Sequence, residues 1–156
     1  MRKVLIAVGL VFFFAESQAA DYRLGSIGIE SPWARATASP QQPGAVFMSI
    51  ENRSDITDHL TAIACTGAGT AEIHETKVER DMAHMHSVRS VEIAPGERVE
   101  LMPGGKHVML MGLTNTLKQG RTLRCSLTFQ RNGTADVVVQ ILSAGAMGHT
   151  KRRDSM

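Results

Sequence analysis

Apolar side chains in this chain recur at every second position over short stretches, and that period limits it to a β architecture. In residues 45–51 Val46, Met48 and Ile50 share one face. In 122–130 Leu123, Cys125, Leu127 and Phe129 do so, and in 136–142 Val137, Val139 and Ile141. Successive side chains of a strand point to opposite sides, so this spacing describes strands buried on one face and wet on the other. Turn chemistry separates the stretches: Gln42-Pro43-Gly44, Thr66-Gly67-Ala68-Gly69, Ala94-Pro95-Gly96-Glu97, Pro103-Gly104-Gly105 and Arg131-Asn132-Gly133. The last of these contains Asn-Gly, a strong hairpin signal. Turns spaced about ten residues apart predict an all-β sandwich.

Ahead of the strands, Arg2 and Lys3 precede an apolar run from Val4 to Phe14, with small residues at Ser17 and Ala19. This is the pattern of a secretory signal peptide. The run is too short for a membrane helix, which needs ~20 apolar residues, and no cysteine stands at the expected cleavage point to carry a lipid. We therefore expect residues 1–19 to be removed, 20–144 to form one domain, and the small, polar 145–156 to be a flexible tail. The expected product is periplasmic and soluble, without stable membrane insertion. Without Arg2, Lys3 and Glu16 it carries 15 basic against 14 acidic side chains, a balance that offers no footprint for nucleic acid. An oxidising compartment allows Cys65 and Cys125 to pair. Two separate buried thiols, or one thiol recruited to metal, are the alternatives at this level.

Residues 74–111 hold four of the six histidines and five of the nine methionines, and this concentration points to a soft metal, because thioether sulfur selects Cu(I) over harder ions. In His107-Val108-Met109-Leu110-Met111 the strand period sends Val108 and Leu110 into the core. His107, Met109 and Met111 then share the other side, an imidazole beside a thioether. In Ala71-Glu72-Ile73-His74-Glu75-Thr76 the inward residue is Ile73 and His74 faces outward. In Met82-Ala83-His84-Met85-His86 the period sets Met85 on one face and His84 with His86 on the other. The expected Cu(I) ligands are His74, Met85, His107 and Met109, with Met111 in reserve. His84 and His86, helped by His149 from the tail, form a candidate second site for Cu(II), which imidazole suits better than thioether does. Met48 and Met102 read as core packing, and His59, next to Asp58, as a surface histidine in a turn.

These residues carry a resemblance. The stretch AEIHETKVERDMAHMH followed by EIAPGERVELMPGGKHVMLMGL, within residues 71–113, resembles the PCu(A)C family of periplasmic copper chaperones. That family's signature is His, ten residues, Met, twenty-one residues, His-x-Met, and His74, Met85, His107 and Met109 match it without a gap. Ser31-Pro32-Trp33-Ala34-Arg35, residues 44–52 and the terminal strands extend the likeness over nearly the whole expected domain. The resemblance implies a cupredoxin-like Greek-key β-sandwich with an exposed Cu(I) site. It further implies delivery of copper towards the Cu(A) centre of cytochrome c oxidase, with a Sco-type copper chaperone or cytochrome c oxidase subunit II as partner. Two positions depart from the pattern. Thr76 stands where many members have methionine, and His84 and His86 flank Met85.

Two other readings share parts of this chemistry. A cupredoxin-type electron-transfer protein would need a cysteine thiolate with two histidines and a weak axial methionine, yet Met147 and His149 follow Cys125 only after more than twenty residues. A zinc-dependent hydrolase could draw on His74, His84, His86 and His107 with a metal-bound water. No acidic residue stands in a recognisable base motif beside them, so the chain reads as a carrier and not an enzyme.

Overall fold

The structure, a computed structural model, describes residues 20–149. The expected signal peptide and residues 150–156 of the expected tail lie outside the described residues. Eleven strands follow in order: β1 (Asp21–Leu24), β2 (Ile27–Arg35), β3 (Gly44–Asn52), β4 (Asp58–Cys65), β5 (Thr70–Glu79), β6 (Met82–Val88), β7 (Val91–Ile93), β8 (Arg98–Leu101), β9 (Lys106–Met111), β10 (Thr122–Phe129) and β11 (Gly133–Leu142). They join in one mixed sheet of order β6-β5-β9-β3-β2-β11-β10-β4-β7, with β1 added to β2 and β8 to β3. Every pairing is antiparallel except β11 with β2. The sheet curls until β4 lies against β5, and the enclosed faces meet in an all-β sandwich. Ile27, Ile29, Ile50, Leu60, Ile93, Leu110, Leu127, Val139 and Phe129 are buried there. Among the described residues no helix is long and apolar enough to cross a membrane.

A bulge in β2 gives this sheet a second packed face. Ile29 pairs with Ile50 and Glu30 with Ser49, but the register then shifts and Trp33 pairs with Phe47. One extra residue on β2 is accommodated at Ser31-Pro32, where Ser31 has a φ of 50° and the proline has no N–H to give to the ladder. The shift reverses the alternation. Ala34 takes the inward place beside Val46, and Trp33 turns to the outer side with Phe47, their ring centroids 4.5 Å apart. Both rings are buried, so the outer face at β2 and β3 is packed and not wet.

Part of that cover comes from the chain's end. Residues 145–149, expected to trail as part of a flexible tail, lie against the sheet because Arg35 holds them. Its Nε donates to the Ala146 carbonyl at 2.8 Å and its Nη2 reaches the Met147 sulfur at 3.1 Å, while its guanidinium lies 5.6 Å from the Phe47 ring centre. Met48 is buried as expected. Met102 is 52% exposed: it stands just past the end of β8 in the β8–β9 turn, where its backbone bonds Lys106 and Gly105, and is no part of the core.

Two features fix the far end of the sheet. Cys65 and Cys125 are directly paired across β4 and β10 and joined as a disulfide, with Cα atoms 4.1 Å apart. Asp58, 1% exposed, opens β4 and not a turn, and its neighbour His59 is the second residue of that strand, 3.5 Å from the Glu92 carboxylate. The Asp58 carboxylate accepts hydrogen bonds from the backbone of His59 and Arg131 at 2.8 Å each, and from the Asn132 backbone and side chain at 3.2 and 2.7 Å. Burial alone raises its carboxyl, but these donors, led by the Asn132 amide, outweigh burial and hold it below the ordinary carboxylate value. A depressed folded value contributes stability above the unfolded value of ~3.9, and that contribution is lost as pH falls through the folded value. Asp58→Ala is expected to cost about 2–3 kcal/mol, since it strips charge-assisted bonds and leaves buried donors unpaired. Urea unfolding at neutral pH checks this, and a variant as stable as the parent would contradict it.

Candidate metal centre

The β6-β5-β9 end of the sheet carries His74, Met85, His107 and Met109. His74 on β5 lies directly opposite His107 on β9, and side chains directly opposite in an antiparallel pair project from one face. Their ring centroids are 6.1 Å apart. Met109 stands opposite Glu72, two residues from His107 along β9 and diagonal to His74. On the other side of β5, Met85 is opposite Thr76, two residues from His74. The alternation therefore places His74, Met85, His107 and Met109 on the same face over three adjacent strands.

That face is continuous with the packed outer face. Phe47 lies 6.3 Å from His107 between ring centroids, so Trp33, Phe47, His107 and His74 form a row of rings across β2, β3, β9 and β5. His107 is buried at 7% exposure, whereas Met85, on the last strand of this end of the sheet, is 51% exposed. The centre is thus backed by rings and open at a thioether.

Hydrogen bonds fix the tautomer of both imidazoles. His107 Nδ1 lies 3.1 Å from the Gly105 carbonyl; a carbonyl only accepts, so Nδ1 carries the hydrogen and Nε2 keeps its lone pair. The Pro103-Gly104-Gly105 turn, with Gly104 at a φ of 82°, brings that carbonyl into place. His74 Nε2 lies 3.1 Å from the Glu72 carboxylate. Donation to that carboxylate leaves His74 Nδ1 as the acceptor, and this atom is buried without a partner. Each histidine therefore presents a bare nitrogen while its other nitrogen is held by an oxygen, the arrangement in which imidazole ligates metals. Glu72 was not among the residues expected here, although strand period alone puts it on the face of His74.

Other candidates stand elsewhere. Met111 pairs with Thr70, four residues from each histidine's position and roughly 13 Å away at strand rise. His84 and His86 pair with Lys77 and Glu75 and project from the face opposite Met85. His149 does not join them. The Arg35 bonds lay the tail over β2 instead, so His149 lines a cavity with Glu30, Trp33, Arg98, Met102 and Met147. Its Nε2 is buried and unpartnered there, and burial holds its imidazolium below the ordinary histidine value. The two rival readings meet obstacles in this arrangement. Both cysteines are consumed in the disulfide, which leaves no thiolate for a blue-copper site. The four histidines of the zinc reading are divided between two faces of the sheet, His74 with His107 on one and His84 with His86 on the other, and among the described residues no three of His, Cys, Asp or Glu gather into a metal cluster.

Comparison with known proteins gives concordant matches. A family model described as "Putative lipoprotein LpqE-like" matches residues 27–141. A protein named "Putative lipoprotein Lxx21020", from Leifsonia xyli subsp. xyli (strain CTCB07), is 27% identical over 128 residues, covering 81% of this chain and 76% of that protein. Among solved structures, the apo PCuAC domain from PmoF1 superposes with a TM-score of 0.68 at 27% identity, over 80% of this chain and 99% of that one. The solution structure of CuI-DR1885 from Deinococcus radiodurans gives a TM-score of 0.57 at 29% identity, over 71% of this chain and 76% of that one. The fold is the cupredoxin-like β-sandwich of PCuAC domains.

Proposed function

Because this chain belongs to the LpqE-like family, with a domain of the PCuAC type, we propose that it is an exported, periplasmic copper chaperone that holds Cu(I) through His74, Met85, His107 and Met109. The observation that carries this reading is the pair of facing imidazoles, each with one nitrogen engaged by an oxygen and the other bare, on the face shared by two thioethers. A solved relative in a CuI form supports copper as the cargo. Export is supported by the lipoprotein descriptions of the family and of the Leifsonia relative, and by a disulfide, which persists in oxidising compartments. Cys65 and Cys125 are joined to each other, so neither carries a lipid.

The chemistry suits a carrier. Neutral thioethers hold d¹⁰ Cu(I) without the grip of thiolates, and imidazole adds a stronger donor that a proton can displace. His74 and His107 are oriented by Glu72 and the Gly105 carbonyl before metal arrives, so binding spends little on ordering them. Met85, half exposed on an edge strand, is the ligand an incoming donor would displace first. A thiolate-rich acceptor then takes copper downhill, and we place a Sco-type copper chaperone or cytochrome c oxidase subunit II in that role, towards the Cu(A) centre. The test is an anaerobic Cu(I) titration of the exported form with X-ray absorption on the loaded protein. One Cu(I) per chain with both nitrogen and sulfur in its shell is expected; a shell of sulfur alone, or no Cu(I) binding, would refute the assignment.

A further inference from the structure

We propose that the opposite face of the β5–β6 hairpin carries a second metal site, in which His84 and His86 chelate one Cu(II) ion. Register decides which side each ligand takes. His84 stands opposite Lys77 and His86 opposite Glu75, while Met85 stands opposite Thr76, so the pair projects from the side that Met85 leaves. Ile73 and Val88 occupy the same side further along, but the core ends there and both histidines are exposed. Their rings lie nearly parallel, centroids 6.5 Å apart and planes 25° from one another. Neither ring has a hydrogen-bond or ion-pair partner among the described residues. Among the described residues β6 is the terminal strand of this end of the sheet, and the face that carries both rings is open to solvent there.

Bringing one nitrogen of each ring to ~2 Å from a shared metal requires only rotation about side-chain torsions, which exposed side chains make readily. The donor set chooses the ion. Two imidazoles completed by water fit the tetragonal preference of Cu(II), which stands highest among the divalent first-row ions in affinity. Glu75 supplies no third ligand, because Lys77 and Lys106 each hold its carboxylate at 3.4 Å. That pairing also takes up the Lys77 charge, which would otherwise repel a cation at His84. Met82 shares the face, yet a thioether adds little for Cu(II). One hairpin thus displays donors of Cu(II) type on one side and a donor of Cu(I) type on the other.

This pair lies on the face opposite His74 and His107, and one titration distinguishes the two sets. The full chain, titrated with Cu(II) sulfate without reductant and followed by electron paramagnetic resonance, is expected to lose one nitrogen-ligated Cu(II) in His84→Ala with His86→Ala. The signal is expected to persist in His74→Ala with His107→Ala. Either hairpin substitution alone should weaken that Cu(II) roughly 100-fold, since the second imidazole binds at high effective concentration. Identical spectra and stoichiometry in the hairpin double variant overturn the site, as does a signal lost only with His74 and His107. Circular dichroism verifies folding, and His84→Asn with His86→Asn repeats the comparison if the alanine pair does not fold.

Discussion

Replacing Met85 and Met109 together by leucine is expected to lower Cu(I) affinity by about 100-fold or more while leaving the fold intact. The loss follows from removing two of the four proposed donors, where each added donor contributes through effective concentration. Folding is spared because leucine preserves volume, a swap that usually costs under about 1.5 kcal/mol, and Met85 is half exposed in any case. The singles should differ in kinetics. Met85→Leu removes the open edge of the centre and should change the rate at which a competing ligand extracts copper. Met109→Leu removes a donor from the interior strand and should act mainly on the equilibrium. Competition titration against a Cu(I) chelator measures the affinity, and an unchanged value in the double variant would end the case for thioether ligation.

Loss of the disulfide is expected to have the largest effect on stability. Cys65 and Cys125 are 60 residues apart in sequence, and cross-linking a loop of that length withdraws about 4 kcal/mol of chain entropy from the unfolded state in the loop-closure model. Cys65→Ala with Cys125→Ala should therefore shift guanidinium unfolding by about that amount. Copper binding should survive, because both cysteines are buried in the core, on the side of the sheet away from the face that His74, Met85, His107 and Met109 share. A variant within about 1 kcal/mol of the parent would show that the unfolded chain gains little freedom from the lost link.

Strands β3, β10 and β11 were legible in the sequence because each has one buried and one solvated face, so Val46, Met48 and Ile50, or Val137, Val139 and Ile141, mark the period directly. The same logic placed Val108 and Leu110 inside and His107 with Met109 on the other face. It did not foresee β2. There the Ser31-Pro32 bulge interrupts the alternation, so the positions of Trp33 and Ala34 depend on a register that only β3 supplies. Nor did turn chemistry announce the β5–β6 hairpin. Its reversal uses Arg80 and Asp81 at φ values of 51° and 63°, in a region that asparagine and glycine usually fill. Most of β6 overhangs the core and is exposed, so burial left little pattern there. The contact that residues 145–149 make is hidden for a different reason: Arg35 is 111 residues away from Ala146, and such a contact has no local signature.

The ring row across the outer face has an optical consequence. Trp33 is the only tryptophan in the chain, and the β2 bulge seats its indole on Phe47, which in turn borders His107. Indole emission from this chain therefore comes from a single ring, one ring removed from an imidazole of the proposed copper centre and shielded from water by burial. Cargo arriving at or leaving His107 would be reported from within the fold, so exchange with an acceptor could be followed in real time without attaching a dye.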